Sequence, residues 1–389
     1  MNNLTNIKSI TKKAKISLLT IIFSFISVFL FANHEHQNAT NDTLNSISSD
    51  SNTAKEAQNA THEENHGAGH GEEKFDANKA IMEHIADAHD WHLWGHTSVH
   101  LPIILKTDKG FEFFSSGKFN HGHDAYQGTH YTYKLIHEKV KVVDATGNVD
   151  EAASKGVLDF SITKNVCSLL LSVLGLMIIF TVVAQGYAKR GIGSPKGLQS
   201  WLEPIIIFVR DDIAKPNLGA KYSKFMPYLL TVFFFIWFNN ILGLVPFFPG
   251  GANVTGNIAL TMVLAVITFL ITNLNGNKNY WSHIFLPHVP WWLYPLMIPV
   301  EIIGIFTKPF ALMIRLFANI TAGHILVLSL VCLTFIFKSA LVGTVATPLI
   351  VFISAIELLV AFIQAFIFTI LSALFIGMAV QEPEHDAHH

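Results

Sequence analysis

PFALMIRLFANITAGHILVLSLVCLTFIF, Pro309 to Phe337, is an apolar run with a permanent positive charge, Arg315, about two turns inside it. As an α-helix this run is roughly 43 Å long at 1.5 Å per residue, against a hydrocarbon core of roughly 30 Å. An upright helix of that length overshoots, and a straight tilt that matched the two lengths is about 45°, beyond the usual range of membrane helices. The next run, Leu341 to Val380, is longer still. The two together read as a pair of steeply tilted or bent helices, antiparallel across the link Lys338 to Gly343. Two ordinary spans within the last run are the alternative.

The rest of the 389-residue chain agrees with a membrane reading. It is 51% hydrophobic and only 14% charged, with 31 phenylalanines, and its mean hydropathy is +0.40. That balance predicts a polytopic, all-α membrane protein carrying a soluble part. No basic surface suggests nucleic acid. Cys167 and Cys332, the two cysteines, both sit in apolar runs, so neither a disulfide framework nor a thiolate metal site is expected.

Five regions follow from the changes in composition. Residues 1–32 carry Lys8, Lys12, Lys13 and Lys15 and then ISLLTIIFSFISVFLFA, the plan of a secretory signal peptide; an uncleaved anchor is the alternative at the Leu30-Phe31-Ala32 site. Residues 33–74 hold almost no large apolar side chain and read as a disordered His- and Asn-rich exported tail. Residues 75–159 regain apolar and aromatic residues. Period-two runs, VHLPIIL and FEFF across the turn TDKG and YKLIHEKVKVV before ATGN, predict a small exported α+β domain with a helix near Ile81 to Ala88 and at least one hairpin. Residues 160–382 form the membrane domain, and 383–389 a cytoplasmic tail.

About five transmembrane helices and one surface helix are expected in the membrane domain. The first begins near Thr163. After it come Lys189, Arg190, Lys196, Arg210, Lys215, Lys221 and Lys224, which mark that loop as cytoplasmic and the preceding domain as periplasmic. LQSWLEPIIIFVRDDIAK within the loop is amphipathic and suits the membrane surface. Further spans start at about Tyr228 and at IALTMVLAVITFLIT, and WWLYPLMIPVEIIGIF is a shorter segment stopped by Lys308-Pro309.

The intramembrane charges point to function. An arginine at the centre of a span costs at least ~2.5 to 3.5 kcal/mol, so it marks a functional site by default. At about 100° per residue, Ala311, Ala318, Ala322 and Asn319 fall within roughly 60° of Arg315, and His324 falls nearly opposite. A strip of small residues admits a close neighbour beside the guanidinium. On the last helix Glu357 and Gln364 share a face with Ala361 between them. A His324-Glu357 pair has the chemistry of a proton relay, with a structural hydrogen bond as the plain alternative. Asn239, Asn240, Asn257 and Glu301 add polar atoms to apolar segments and outline a hydrated path.

RLFANITAGH, preceded by Lys308-Pro309 and followed by IELLVAFIQAFIFTILSALFIGMA, resembles subunit a of the F-type ATP synthase, the stator half of its membrane (Fo) proton channel. The resemblance runs from about Phe160 to Glu382 and includes FNNILGLVP and GNIAL. It implies a non-catalytic, proton-translocating subunit in a bacterial inner membrane. Its implied partners are a c-ring of proteolipid subunits, the peripheral-stalk b subunits, the remainder of the complex and membrane lipid. Arg315 matches the essential ring-facing arginine, and Gln364 the glutamine near it. His324 and Glu357 match a polar pair of the outside half-channel, in the His-first order. Asn240 matches a further residue of that path and Glu301 an acid on the cytoplasmic side, with Asn319 taken as another polar member.

Two rival readings stand beside it. One is a stand-alone secondary cation transporter gated by Arg315 and Glu357. The other concerns the exported part, where His34, His36, His62, His66, His70, His121, His123 and the terminal His388-His389 suggest metal binding. With no phosphate loop or dinucleotide fingerprint visible, no nucleotide, cofactor or resident metal is expected in the membrane domain.

Overall fold

The structure, a computed structural model, describes residues 87–381 apart from 95–96, 123, 137, 145, 191–193, 246–249, 287–288 and 338–339. The expected signal segment, the His-rich tail, the cytoplasmic tail and most of the helix expected at Ile81 to Ala88 lie outside these residues.

The first part is β-rich. Strands β1 (Asp90–Trp94) and β2 (Thr97–His100) pair antiparallel, and β3 (Pro102–Thr107) and β4 (Gly110–Ser115) form the hairpin closed by Asp108 and Lys109. Strands β5 (Ala125–Gln127), β6 (Thr132–Ile136) and β7 (Lys139–Val143) make a second meander. The run YKLIHEKVKVV is therefore itself a hairpin, turning at Glu138, whose φ of 59° is left-handed. Helix α1 (Glu151–Lys155) is capped by Asp150, and β8 (Leu158–Asp159) adds antiparallel to β3. Ile103, Leu105, Phe119 and Tyr133 form the core at 0% exposure.

Alternation on β4 puts Phe111 and Phe113 outside and Glu112 inside. The buried carboxylate is satisfied by Thr129 N at 2.8 Å, His130 N at 3.0 Å and Tyr133 Oη at 2.8 Å, three donors that offset its desolvation. Gly128 is required there, since a Cβ would collide with that carboxylate.

A buried charge cluster joins this unit to the first long helix, α2 (Lys164–Arg190). Asp87 accepts from Thr163 Oγ1 at 2.7 Å and from Asn165 N at 3.0 Å, capping α2 from a distant point in the sequence. Beside it, His89 Nδ1 lies 3.8 Å from Glu138 and Nε2 3.6 Å from Asp159, ion-pair rather than hydrogen-bond distances. Burial by itself would lower the His89 pKa, but Asp159, Glu138 and Asp87 push it up to about 10. A pKa raised from 6.5 to about 10 contributes stability in full below pH 6.5 and loses it as the pH rises toward 10. Amide exchange in the first turn of α2, corrected for intrinsic rate, is therefore expected to quicken across that window. His89→Gln should flatten the dependence, and an identical profile in the variant would remove His89 from the junction.

The remainder is helical. Helix α2 exposes Leu170, Leu174, Ile178 and Val182 at four-residue intervals, a lipid-facing stripe. After α3 (Leu198–Phe208) a π-helical turn, Val209–Ala214, leads to α4 (Lys215–Leu218) and α5 (Tyr222–Leu244). Helix α6 (Ile258–Leu274) starts at its cap Asn257, whose side chain accepts from Ala259 N at 2.9 Å. Asn257 thus serves as a structural cap rather than a lining of the expected path. Helix α7 (Lys278–Phe285) breaks away from α6 at 102°. Helices α8 (Tyr294–Phe337) and α9 (Ala340–Val380) complete the fold. Among the described residues four helices are long and apolar enough to cross a membrane, or five with the bent α6-α7 pair.

Lys308-Pro309 does not stop a helix, contrary to the sequence expectation. Helix α8 runs through both Pro299 and Pro309 as 44 residues. Within a bundle, neighbouring helices hold a proline-interrupted helix together, and the Lys308 ammonium rests 5.7 Å over the Phe375 ring of α9. Helices α5 and α9 pack closely because Ala361, Ala365, Ser372 and Ala373 supply small buried surfaces. At the end of α9 the last carbonyls are held: Lys221 Nζ donates to Val380 O at 2.8 Å, Asn277 Nδ2 to the same oxygen at 2.7 Å, and Asn277 N to Ala379 O at 2.8 Å. Cys167 is half-buried, Cys332 is buried and both are free thiols.

Candidate functional site

Helix α8 carries the site because its two faces differ. Leu312, Met313 and Leu316 are buried at 2%, 7% and 1%. Ala311, Arg315, Ala318, Asn319 and Ala322 are all exposed on the opposite side. Among the described residues, Arg315 has no ion pair or hydrogen bond. A guanidinium on a strip of alanines, with no carboxylate from its own chain, is a charge held out toward something else.

His324 lies on the inward side of the same helix. Its Nε2 is 3.6 Å from the position of a Cβ on Gly243 of α5. One residue earlier, α9 crosses so closely that a Cβ on Gly323 would stand 2.6 Å from Glu357 Oε1. Glycine at 323 is what lets the acid lie against α8 beside His324. Asn240 Nδ2 of α5 donates to Ala361 O at 3.1 Å, one turn beyond Glu357 on α9. His324, Glu357 and Asn240 thus come from three helices that meet at one level. Glu357 Oε1 and Asn240 Oδ1 are buried there without a hydrogen-bond partner among the described residues, the condition that ordered water ordinarily relieves. Gln364 of α9 is buried at 4%.

On the other side of Arg315, Glu301 is half-buried at 31% exposure, with His283 Nδ1 of α7 at 4.0 Å. Along the α8 axis Arg315 is about 14 Å from the level of His324 and about 21 Å from that of Glu301 at 1.5 Å per residue. The arginine therefore separates two polar sets, each near one end of the helix. No group of three or more potential metal ligands occurs among the described residues, and most of the histidines named for metal binding lie outside them.

The family profile described as ATP synthase A chain matches residues 166–377. The chain belongs to the ATP synthase A chain family. ATP synthase subunit a 2 of Chlorobaculum tepidum is 47% identical over 237 residues, covering 59% of this chain and 66% of that protein. ATP synthase subunit a of Chlorobium phaeobacteroides (strain BS1) is 47% identical over 239 residues, 60% of this chain and 70% of the relative. The Myxococcus xanthus subunit is 44% identical over 241 residues, 60% and 78%. A second profile, a domain of unknown function (DUF8433), matches residues 80–160, the β-rich part. Membership makes the chain a membrane-embedded, non-catalytic stator subunit of the Fo proton channel. Nothing in the comparisons or the fold favours a stand-alone transporter.

Gly323 and Gly243 escape a reading of polar residues alone. The available signal is small: a glycine next to a histidine on a helix where glycine costs about 1 kcal/mol relative to alanine. Gly323→Val is expected to displace Glu357 and to lower proton flux through the membrane sector, whereas the same change at Gly304, where a Cβ meets nothing within 4 Å, should be tolerated. Equal fluxes in the two variants, measured in vesicles, would deny Gly323 its spacing role.

Proposed function

We propose that Arg315 faces a ring of c subunits, each bearing one membrane-buried carboxylate, and that the polar sets on either side of it are the two half-channels. The observation that carries this reading is the exposed Ala311-Arg315-Ala318-Asn319-Ala322 row on a helix whose other side is buried. A proton from the periplasm passes by His324, Glu357 and Asn240 to a ring carboxylate. Neutral, that carboxylate can face lipid, because the cost of placing a charge there is gone. The ring turns and the proton leaves on the cytoplasmic side through Glu301.

Arg315 stabilises the ionised carboxylate between the two transfers, and its fixed charge repels a proton crossing directly from one half-channel to the other. Asn319, exposed beside Arg315, lines the passage of the ring acid, and the buried Gln364 is assigned near the arginine by the family resemblance. Each charge crossing is worth ~2.3 kcal/mol per 100 mV, so several must be pooled for one ATP. The b subunits of the peripheral stalk hold this chain still while the ring moves, and the β-rich domain stands on the periplasmic side, opposite the Lys- and Arg-rich loop.

Arg315→Ala is expected to abolish coupled ATP synthesis in complexes that still assemble; robust synthesis would exclude Arg315 from the mechanism. Glu357→Gln and His324→Ala should each slow passive proton flux through the membrane sector. Unchanged flux in both would end the assignment of the periplasmic path.

A further inference from the structure

Between Glu301 and the level of Arg315, helices α6, α7, α8 and α9 line a small, partly open recess. It has about 20 Å³ of room for a water and is lined by Thr268, Thr272, Asn273, Tyr280, Lys308 and Phe375, with Ile305 and Pro309 closing the α8 side. A water needs roughly 10–15 Å³ by that measure and two to four polar partners, so one fits. The polar lining is unusual for an apolar bundle: α6 presents Thr268 at 1% exposure and Thr272 at 7%. The Thr268 hydroxyl lies 2.6 Å from Tyr228 Oη and 3.4 Å from Ser372 Oγ.

The direction of the hydrogen bonds limits what the recess can hold. Thr272 donates its hydroxyl proton to Thr268 O at 2.8 Å, and Tyr280 donates to Asn273 Oδ1 at 3.2 Å. Both oxygens keep only lone pairs for a guest, so the guest must be a donor. Lys308 on the same wall is a cation, which makes the recess a poor resting place for a hydronium ion. Glu301 is one turn of α8 from Ile305 and acts electrostatically on Tyr280, and beyond it His283 is 64% exposed to solvent.

We infer that this recess holds the water that carries each proton from the ring to Glu301, with Tyr280 and Thr272 as its positioning residues. The inference rests on the channel reading above. In the step, the ring carboxylic acid gives its proton to the recess water and becomes a carboxylate. The transient hydronium, disfavoured by Lys308, gives a proton to the Glu301 carboxylate. Glu301 then releases it to bulk water at the exposed end of the path, which restores every group.

The test is proton flux through the assembled complex in membrane vesicles, measured in H2O and D2O for Thr272→Leu, Thr272→Ser and Tyr280→Phe. Thr272→Leu fills the recess and should lower flux about tenfold, equivalent to about 1.4 kcal/mol on the barrier. Thr272→Ser keeps the hydroxyl and should restore most of it. Tyr280→Phe removes only a hydroxyl and should lower flux with a larger solvent isotope ratio than the wild type. Wild-type flux in both Thr272→Leu and Tyr280→Phe overturns the inference, as does a loss in Tyr280→Phe with an unchanged isotope ratio. If Thr272→Leu does not assemble, Tyr280→Phe decides alone. Arg315→Ala and Glu301→Gln run alongside: if these keep normal coupling the channel reading fails, and if they lose it while the recess variants behave as wild type only the water site is lost.

Discussion

One unpaired guanidinium governs the arrangement of the membrane domain. Arg315 lies mid-helix in an apolar run, and the chain supplies no carboxylate for it among the described residues. Burying such a charge in lipid is costly, and leaving it without a partner in a finished assembly is costlier. The surrounding residues are what a shared solution requires: alanines at 311, 318 and 322 keep the surface low on the exposed side, and Leu312, Met313 and Leu316 anchor the opposite side in the bundle. On the proposed reading, the charge is then open to the ring while its helix is fixed.

That fixing is distributed over the helix ends. The C-terminus of α9 is held by Lys221 and Asn277 through its last carbonyls, and Gly377 lets α9 press against the backbone at Asn217. Helix α8 is held by its buried face and by the crossing with α9 at Gly323. A stator has to resist sideways force from its rotor, and close contacts between backbones, which lack adjustable side chains, are stiff elements for that task. At the other end of the chain the Asp87 cap and the His89 ion pairs bind the β-rich unit to the start of α2.

Much of this was legible in the residues and some was not. The apolar spans and the opposition of Arg315 and His324 follow from composition and helical angle, which are local properties. The continuity of α8 through Lys308-Pro309 was not legible, because proline's effect depends on whether neighbours hold the helix together, and Phe375 lies far along the chain. Asn257 looked like a path residue because a polar side chain in an apolar run is ambiguous until its backbone is seen; here it caps α6. The spacing glycines and the recess beside Thr272 and Tyr280 arise from four helices meeting, which no single stretch encodes. The inward turn of Glu112 on β4 is of the same kind, since its three donors sit on a different hairpin.

The central claim is that the alanine strip around Arg315 is the surface the ring travels over. It is tested most directly by disulfide cross-linking in the assembled complex, after Cys167 and Cys332 are replaced by serine. Single cysteines placed in turn at Ala311, Ala318 and Ala322 of α8 are paired with a cysteine beside the ring carboxylate. The account predicts cross-links from these three positions and none from cysteines at the buried positions Leu312 and Leu316. Cross-links from the buried positions, or none from the strip in complexes that assemble, would contradict it.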